Sequence, residues 1–60
     1  MNIAATVTHF ADRGEASIEL TDEDTGETIG LDIFDDAEDG IEWACRHGLN
    51  PNNPIIWVDA

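Results

Sequence analysis

Apolar and polar residues alternate over residues 2–10, with Ile3, Ala5, Val7 and His9 on one side and Ala4, Thr6, Thr8 and Phe10 on the other. A period of two over β-branched residues predicts a strand. Asp12-Arg13-Gly14 interrupts it as a turn whose glycine can take positive φ. Alternation resumes over residues 15–21, where Ala16, Ile18 and Leu20 share the inner side and Glu15, Ser17, Glu19 and Thr21 the outer one. The short connection makes these two strands a hairpin. A second turn, Asp22-Glu23-Asp24-Thr25-Gly26, leads into a third strand over residues 27–34, expected to place Ile29, Leu31 and Ile33 inside and Thr28, Gly30, Asp32 and Phe34 outside. Three strands joined by short turns form an antiparallel meander, and one face of it needs a cover.

The period then changes from 2 to 3.6. Ala37, Ile41, Ala44, Cys45 and Gly48 fall on one helical stripe, which predicts a helix over residues 36–47. Asp35 or Asp36 can serve as its N-cap, with Glu38 or Asp39 reaching back as in a capping box. Arg46 and His47 sit in the last turn, where the helix dipole favours positive charge. Gly48 supplies a left-handed stop, Leu49 the hydrophobic follower, and Pro51 prevents continuation. Gly40 in the first half costs about 1 kcal/mol relative to alanine. The stripe is expected to bury Cys45.

Asn50-Pro51-Asn52-Asn53-Pro54 is a loop, and residues 55–58 form a short apolar strand. With apolar residues on both of its sides, that strand is expected to pair within the sheet, to be covered on part of both faces, and to place Trp57 in the core. The expected fold is a single α+β domain over residues 1–60, in the order β-β-β-α-β.

Composition sharpens this picture. The 60 residues carry 14 Asp or Glu against 2 Arg and no Lys, a formal charge of −12. So high a charge is one mark of disorder, but the other, low hydrophobicity, is missing, since 42% of residues are apolar. One small domain offers no large cleft. With only Arg13 and Arg46 as cations, it cannot neutralise a row of phosphates, which removes direct nucleic-acid binding, and an anionic membrane would repel it. Cys45 is the only cysteine, which fits a reducing, cytoplasmic setting, and no export or membrane-spanning segment is recognisable.

The acids are unevenly placed. Thirteen of the 14 lie within residues 12–42, and only Asp59 is outside. Glu15 and Glu19 repeat along one strand face at about 6.6 Å per two residues, and Asp35, Asp36, Glu38, Asp39 and Glu42 fall at helical spacings of about 5–6 Å. A rigid scaffold could thus hold carboxylates where a DNA-binding groove expects phosphates, since Lys and Arg pair with either. For any one acid, capping or plain solvation explains its presence as well. The collective charge asks for more, because self-repulsion destabilises a small compact state. A basic partner answers that, and so does a life in high salt, where repulsion is screened to about 3 Å at 1 M.

Other chemistry fares worse. Asp22, Asp24 and Gly26 depart from a calcium loop, which needs its glycine after a third ligand and a bidentate Glu six residues later. His9 and His47 stand at no zinc spacing with Cys45. No Gly-rich phosphate loop or nucleophile–base set is present, so no enzyme, cofactor or metal is expected. Trp43 lies off the helical stripe beside Asp36 and Asp39, either as a binding anchor or as peripheral core over the sheet rim. Phe10 and Phe34, expected on the outer sheet face, can support a protein contact or a homodimer.

In size, single α+β unit, missing Lys, and acids at Glu15, Glu19, Asp22, Glu23, Asp24, Asp32, Asp35, Asp36, Glu38, Asp39 and Glu42, the chain resembles the small acidic phage-encoded anti-CRISPR proteins that mimic DNA. The resemblance covers the full length and rests on no motif. It implies an inhibitor that occupies the basic groove or PAM-reading site of a CRISPR-Cas surveillance complex in the host cytoplasm. In that role those eleven acids and Trp43 are the contact residues, and the protein is a monomer or homodimer. Two other classes remain open: a small salt-adapted domain of a halophile, with acids on every exposed segment, and an acidic antitoxin-like partner of a basic protein.

Overall fold

The computed structural model describes residues 2–60 and has the expected α+β order: β1 (Ile3–Phe10), β2 (Glu15–Asp22), β3 (Thr28–Phe34), α1 (Ala37–Arg46) and β4 (Ile56–Asp59). The strands form one mixed sheet in the order β3-β2-β1-β4. The meander β1-β2-β3 is antiparallel, and β4 joins β1 in parallel, with Val7 opposite Trp57. Ile3, Ala5, Val7, Ala16, Ile18 and Leu20 share the face under α1 and are buried together with Ala44 of the helix. The core is small, and Ile18, Leu20 and Val7 are its largest fully buried side chains.

The helix takes both of the ends its sequence encodes. Asp36 is the N-cap, and its carboxylate accepts the Glu38 N–H at 3.0 Å. At the other end the Leu49 N–H donates to the Ala44 carbonyl and the Gly48 N–H to that of Cys45, with Gly48 at φ 96°. This is the paired bonding of a glycine-terminated helix. Gly40 reflects close approach rather than local preference. A Cβ there would stand against Ile18 and 2.9 Å from Phe34 Cδ2, so only glycine lets the helix settle onto β2.

The loop that follows is anchored to the start of β1. Asn50 and Asn53 both donate to the Asn2 side chain, and the Asn50 N–H and the Asn53 side chain donate to the Ile3 carbonyl. That clamp delivers the chain to the free side of β1, where β4 forms.

β3 is turned over relative to the expectation. Its register with β2 shifts between Leu20 and Thr21: Thr21 opposes Thr28, but Leu20 opposes Gly30, leaving Ile29 as an extra residue. Without that bulge the pairing set at the turn would continue as Leu20–Ile29, Ile18–Leu31 and Ala16–Ile33, the arrangement that alternation predicts. One inserted residue moves every following side chain to the opposite face. Gly30, Asp32 and Phe34 therefore lie on the helix side, while Ile29, Leu31 and Ile33 are exposed on the other. The helix shape is matched to this choice, since Trp43 lies over Gly30, 3.4 Å from where a Cβ would be, and its ring centroid is 5.4 Å from that of Phe34.

Three further expectations are corrected. β4 pairs within the sheet but is exposed along its length, and Trp57 is 61% exposed rather than in the core. The cause is that α1 packs on β2, β3 and β1 and does not reach β4. Cys45 is exposed, because seating Trp43 over β3 turns the next helical position but one, about 200° away, outward. Phe34 is on the inner face rather than the outer one.

Candidate protein-binding surface

The carboxylates divide by element. Glu15 and Glu19 project from β2 onto the face of the sheet that no helix covers, among Thr6, Thr8 and Ser17. Glu19 stands between Thr6 of β1 and Leu31 of β3 and accepts from the Thr28 hydroxyl at 3.2 Å. Glu15 lies 3.6 Å from the Arg13 guanidinium, which also stacks over the Phe10 ring at 4.2 Å. Antiparallel pairing places Glu15 at the end of the sheet where β3 closes and α1 begins, so Asp35 and Asp36 gather at that same end.

Glu38, Asp39 and Glu42 are exposed on the helix, on the opposite side of the sheet from Glu15 and Glu19. Glu42 pairs with Arg46 one turn on, an exposed contact worth only a few tenths of a kcal/mol, roughly. Asp32 is exposed on the helix side of β3, where its carboxylate accepts the Ile33 N–H at 2.8 Å. Asp22, Glu23 and Asp24 occupy the turn at the far end of the sheet. There Asp22 accepts the Asp24 N–H at 2.9 Å and the Thr25 hydroxyl accepts that of Glu27, so this turn closes by side-chain caps with Gly26 at φ 78°.

The expected contact residues are thus not drawn into one cluster. They are spread over both ends of a body 34 Å long and 19 Å wide, the helix surface and part of the open sheet face. Among the described residues no three His, Cys, Asp or Glu side chains converge closely enough to hold a metal ion, and no pocket is enclosed. Trp43 is half-buried between Phe34 and His47, whose ring centroid is 4.7 Å away, while His47 bonds the Trp43 carbonyl through Nδ1. It is peripheral core, one of the two positions its place off the stripe allowed.

The acid-free residues are set apart along the chain and only partly in space, since Arg46 pairs with Glu42 on the same helix. Residues 43–58 contain no carboxylate, yet Arg46, His47, Pro51, Asn52, Ile56 and Trp57 among them are exposed. Alternation also failed to flag the exposed apolar residues Ile29, Leu31, Ile33, Ile56, Trp57 and Val58. One signal was available: a single ten-residue helix cannot cover both faces of a four-stranded sheet. Among the described residues no helix is long and apolar enough to cross a membrane. No family model, no curated protein and no solved structure matches the chain.

Proposed function

We propose that this protein works by binding rather than catalysis: its acidic side occupies the basic nucleic-acid-binding site of another protein and excludes DNA from it. A CRISPR-Cas surveillance complex is the partner to test first, on the resemblance drawn above. The observation that carries the reading is the asymmetry of the surface. Residues 43–58, ten of them exposed, hold no acid, whereas thirteen acids lie within residues 12–42. A surface adapted only to salt gains from acids wherever it meets solvent, so exposed positions without acids over residues 43–58 favour a directed use of the charge. The β-hairpin and helix that present many of the acids fit the same reading. Carboxylates held on regular elements present fixed charge to Lys and Arg, and such encounters are steered by the long-range field.

The experiment has two stages. Circular dichroism at about 0.1 M NaCl should show a folded chain, whereas a chain folded only near 1 M would support salt adaptation instead. Immobilised protein should then capture a purified CRISPR-Cas surveillance complex or another basic DNA-binding protein. Capture should weaken steeply with salt and be competed by duplex DNA. Reversal of Glu38, Asp39 and Glu42 to Lys should abolish it with the fold intact. Asp36 is left in place because it caps the helix. Retained capture would shift the contact to Glu15 and Glu19 on the other face, and capture that DNA does not displace would overturn mimicry.

A further inference from the structure

α1 packs on one face of the sheet, and among the described residues no element packs on the other. Strand pairing sets what that open face presents. One line of side chains crosses all four strands as Ile56, Thr6, Glu19 and Leu31, and the next as Val58, Thr8, Ser17 and Ile33. The aliphatic members stand on the two outer strands and are exposed, while the polar members between them are half-buried. Neighbouring strands lie about 4.8 Å apart, so two aliphatic rails face solvent about 14 Å from each other, with a polar floor between them.

Glu19 is the one charge on that floor. The Thr28 hydroxyl orients its carboxylate at 3.2 Å, but a neutral donor leaves the charge uncompensated. Neither arginine pairs with it: Arg13 stacks over Phe10 beside Glu15, and Arg46 pairs with Glu42 on the helix.

We propose that this open face is a docking site for an amphipathic α-helix of a partner protein, which lies along the strands, sets a Lys or Arg on Glu19 and packs aliphatic side chains on the two rails. The site is on the opposite side of the sheet from Glu38, Asp39 and Glu42, and it does not depend on DNA mimicry. Charge selects the occupant. A second copy of this −12 chain would bury Glu19 against further carboxylates, and the same charge repels nucleic acid and an anionic membrane. A segment that is both basic and apolar is attracted by the field and matches both parts of the face.

Shape selects a helix. Its diameter of about 10–12 Å fits rails about 14 Å apart. From a Lys at position i, residues i+3 and i+4 turn about 60° and 40° to opposite sides, which directs aliphatic residues there to opposite rails. The sheet then becomes the middle of three layers. Contact confined to two lines of side chains makes the association transient.

The probe is a synthetic helical peptide of about 18 residues made of Leu, Ala and Lys with this spacing, and its control is the same composition scrambled. The scrambled peptide keeps the charge and loses the stripe. Titration of the isotope-labelled full chain at about 0.15 M NaCl, up to about 1 mM peptide, should give saturable NMR shifts at Thr6, Thr8, Ser17, Leu31 and Ile33. The scrambled peptide should bind at least about tenfold more weakly. Glu19→Gln keeps an oxygen for the Thr28 hydroxyl and should weaken binding several-fold. Leu31→Ser combined with Ile56→Ser changes two exposed side chains and should weaken it about tenfold, with circular dichroism unchanged. Glu42→Gln, on the helix, should leave it as it is. Shifts that map to α1, equal binding of the scrambled peptide, full affinity in Glu19→Gln, or no saturable shift at all would each overturn the proposal. So would shifts of the same residues that grow with protein concentration alone, which would put a second copy on this face. None of these results bears on competition by DNA, so this inference and the proposed function can fail separately.

Discussion

The two edges of the sheet expose similar apolar surface and are built in opposite ways. At the β3 edge Leu31 is 64% exposed, but the strand is bulged, carries Asp32, and has its other face sealed by Phe34 under Trp43. At the β4 edge Trp57 is 61% exposed, no helix lies above it, and the neighbouring residues carry no acid before Asp59. Exposure of an apolar side chain thus has two origins here. β3 turns its aliphatic residues outward because a tighter aromatic fit has taken the inner positions. β4 exposes its residues because the fold has no second cover. The first is a packing decision inside one copy, and the second leaves a surface unfinished.

That difference has its largest consequence for the two edge aromatics. Phe34→Ala should destabilise the monomer by about 2–4 kcal/mol, since it removes the contact with Trp43 and empties the site beside Gly40. Trp57→Ala, although it deletes the larger ring, should change it by less than about 1 kcal/mol. Urea unfolding followed by circular dichroism, at protein concentrations too low for association, measures both. If Leu31→Ala proved as costly as Phe34→Ala, β3 would have the unbulged register and the account of that edge would be wrong.

A smaller effect is expected at Gly40, where two principles oppose each other. Helix propensity alone gives Gly40→Ala a gain of about 1 kcal/mol. The added Cβ would meet Ile18 and Phe34 inside van der Waals contact, and overpacking of this kind costs about 1–3 kcal/mol. A net loss is therefore expected in the same urea measurement. A net gain would show that the helix can rise off β2, so that its lean toward β3 is not what leaves β4 bare.

How much of this could be read from residues alone follows from the range of each interaction. The helix ends, the two Gly-closed turns, and the inward set Ala16, Ile18 and Leu20 depend on neighbours a few positions away, and the sequence shows those neighbours. The face of β3 depends on one bulged residue, Ile29, whose cause lies across the sheet in the fit of Trp43 over Gly30. An apolar/polar alternation of Ile29, Leu31 and Ile33 carries no trace of that. The same holds for Trp57, whose exposure is decided by how far one helix reaches, and for Cys45, which the seating of Trp43 over β3 turns outward. On the acidic side, the positions of the carboxylates were visible but their grouping was not, because strand direction and helix placement send Glu19 and Glu42 to opposite faces.

The smallest effect separates the acids of the β3 side from one another. Asp36 and Asp39 are both exposed and three residues apart, and a count of charge treats them alike. Only Asp36 is bonded to the backbone, as acceptor from the Glu38 N–H. Asp36→Ala should therefore cost about 1 kcal/mol, the usual value of an N-cap. Asp39→Ala loses a helix-dipole contact of roughly 0.3–1 kcal/mol but also relieves repulsion from its acidic neighbours, so the net change should be close to zero. Thermal melts of the two variants at low and high salt distinguish the contributions: the Asp36 loss is a local hydrogen bond and should persist when salt is raised, while whatever Asp39→Ala does should fade. If both variants shifted together and both shifts vanished in salt, the cap would be contributing only as charge. The start of the helix would then differ from the β4 side in field strength alone, leaving Asp22 and Asp32 as the carboxylates bonded to the backbone.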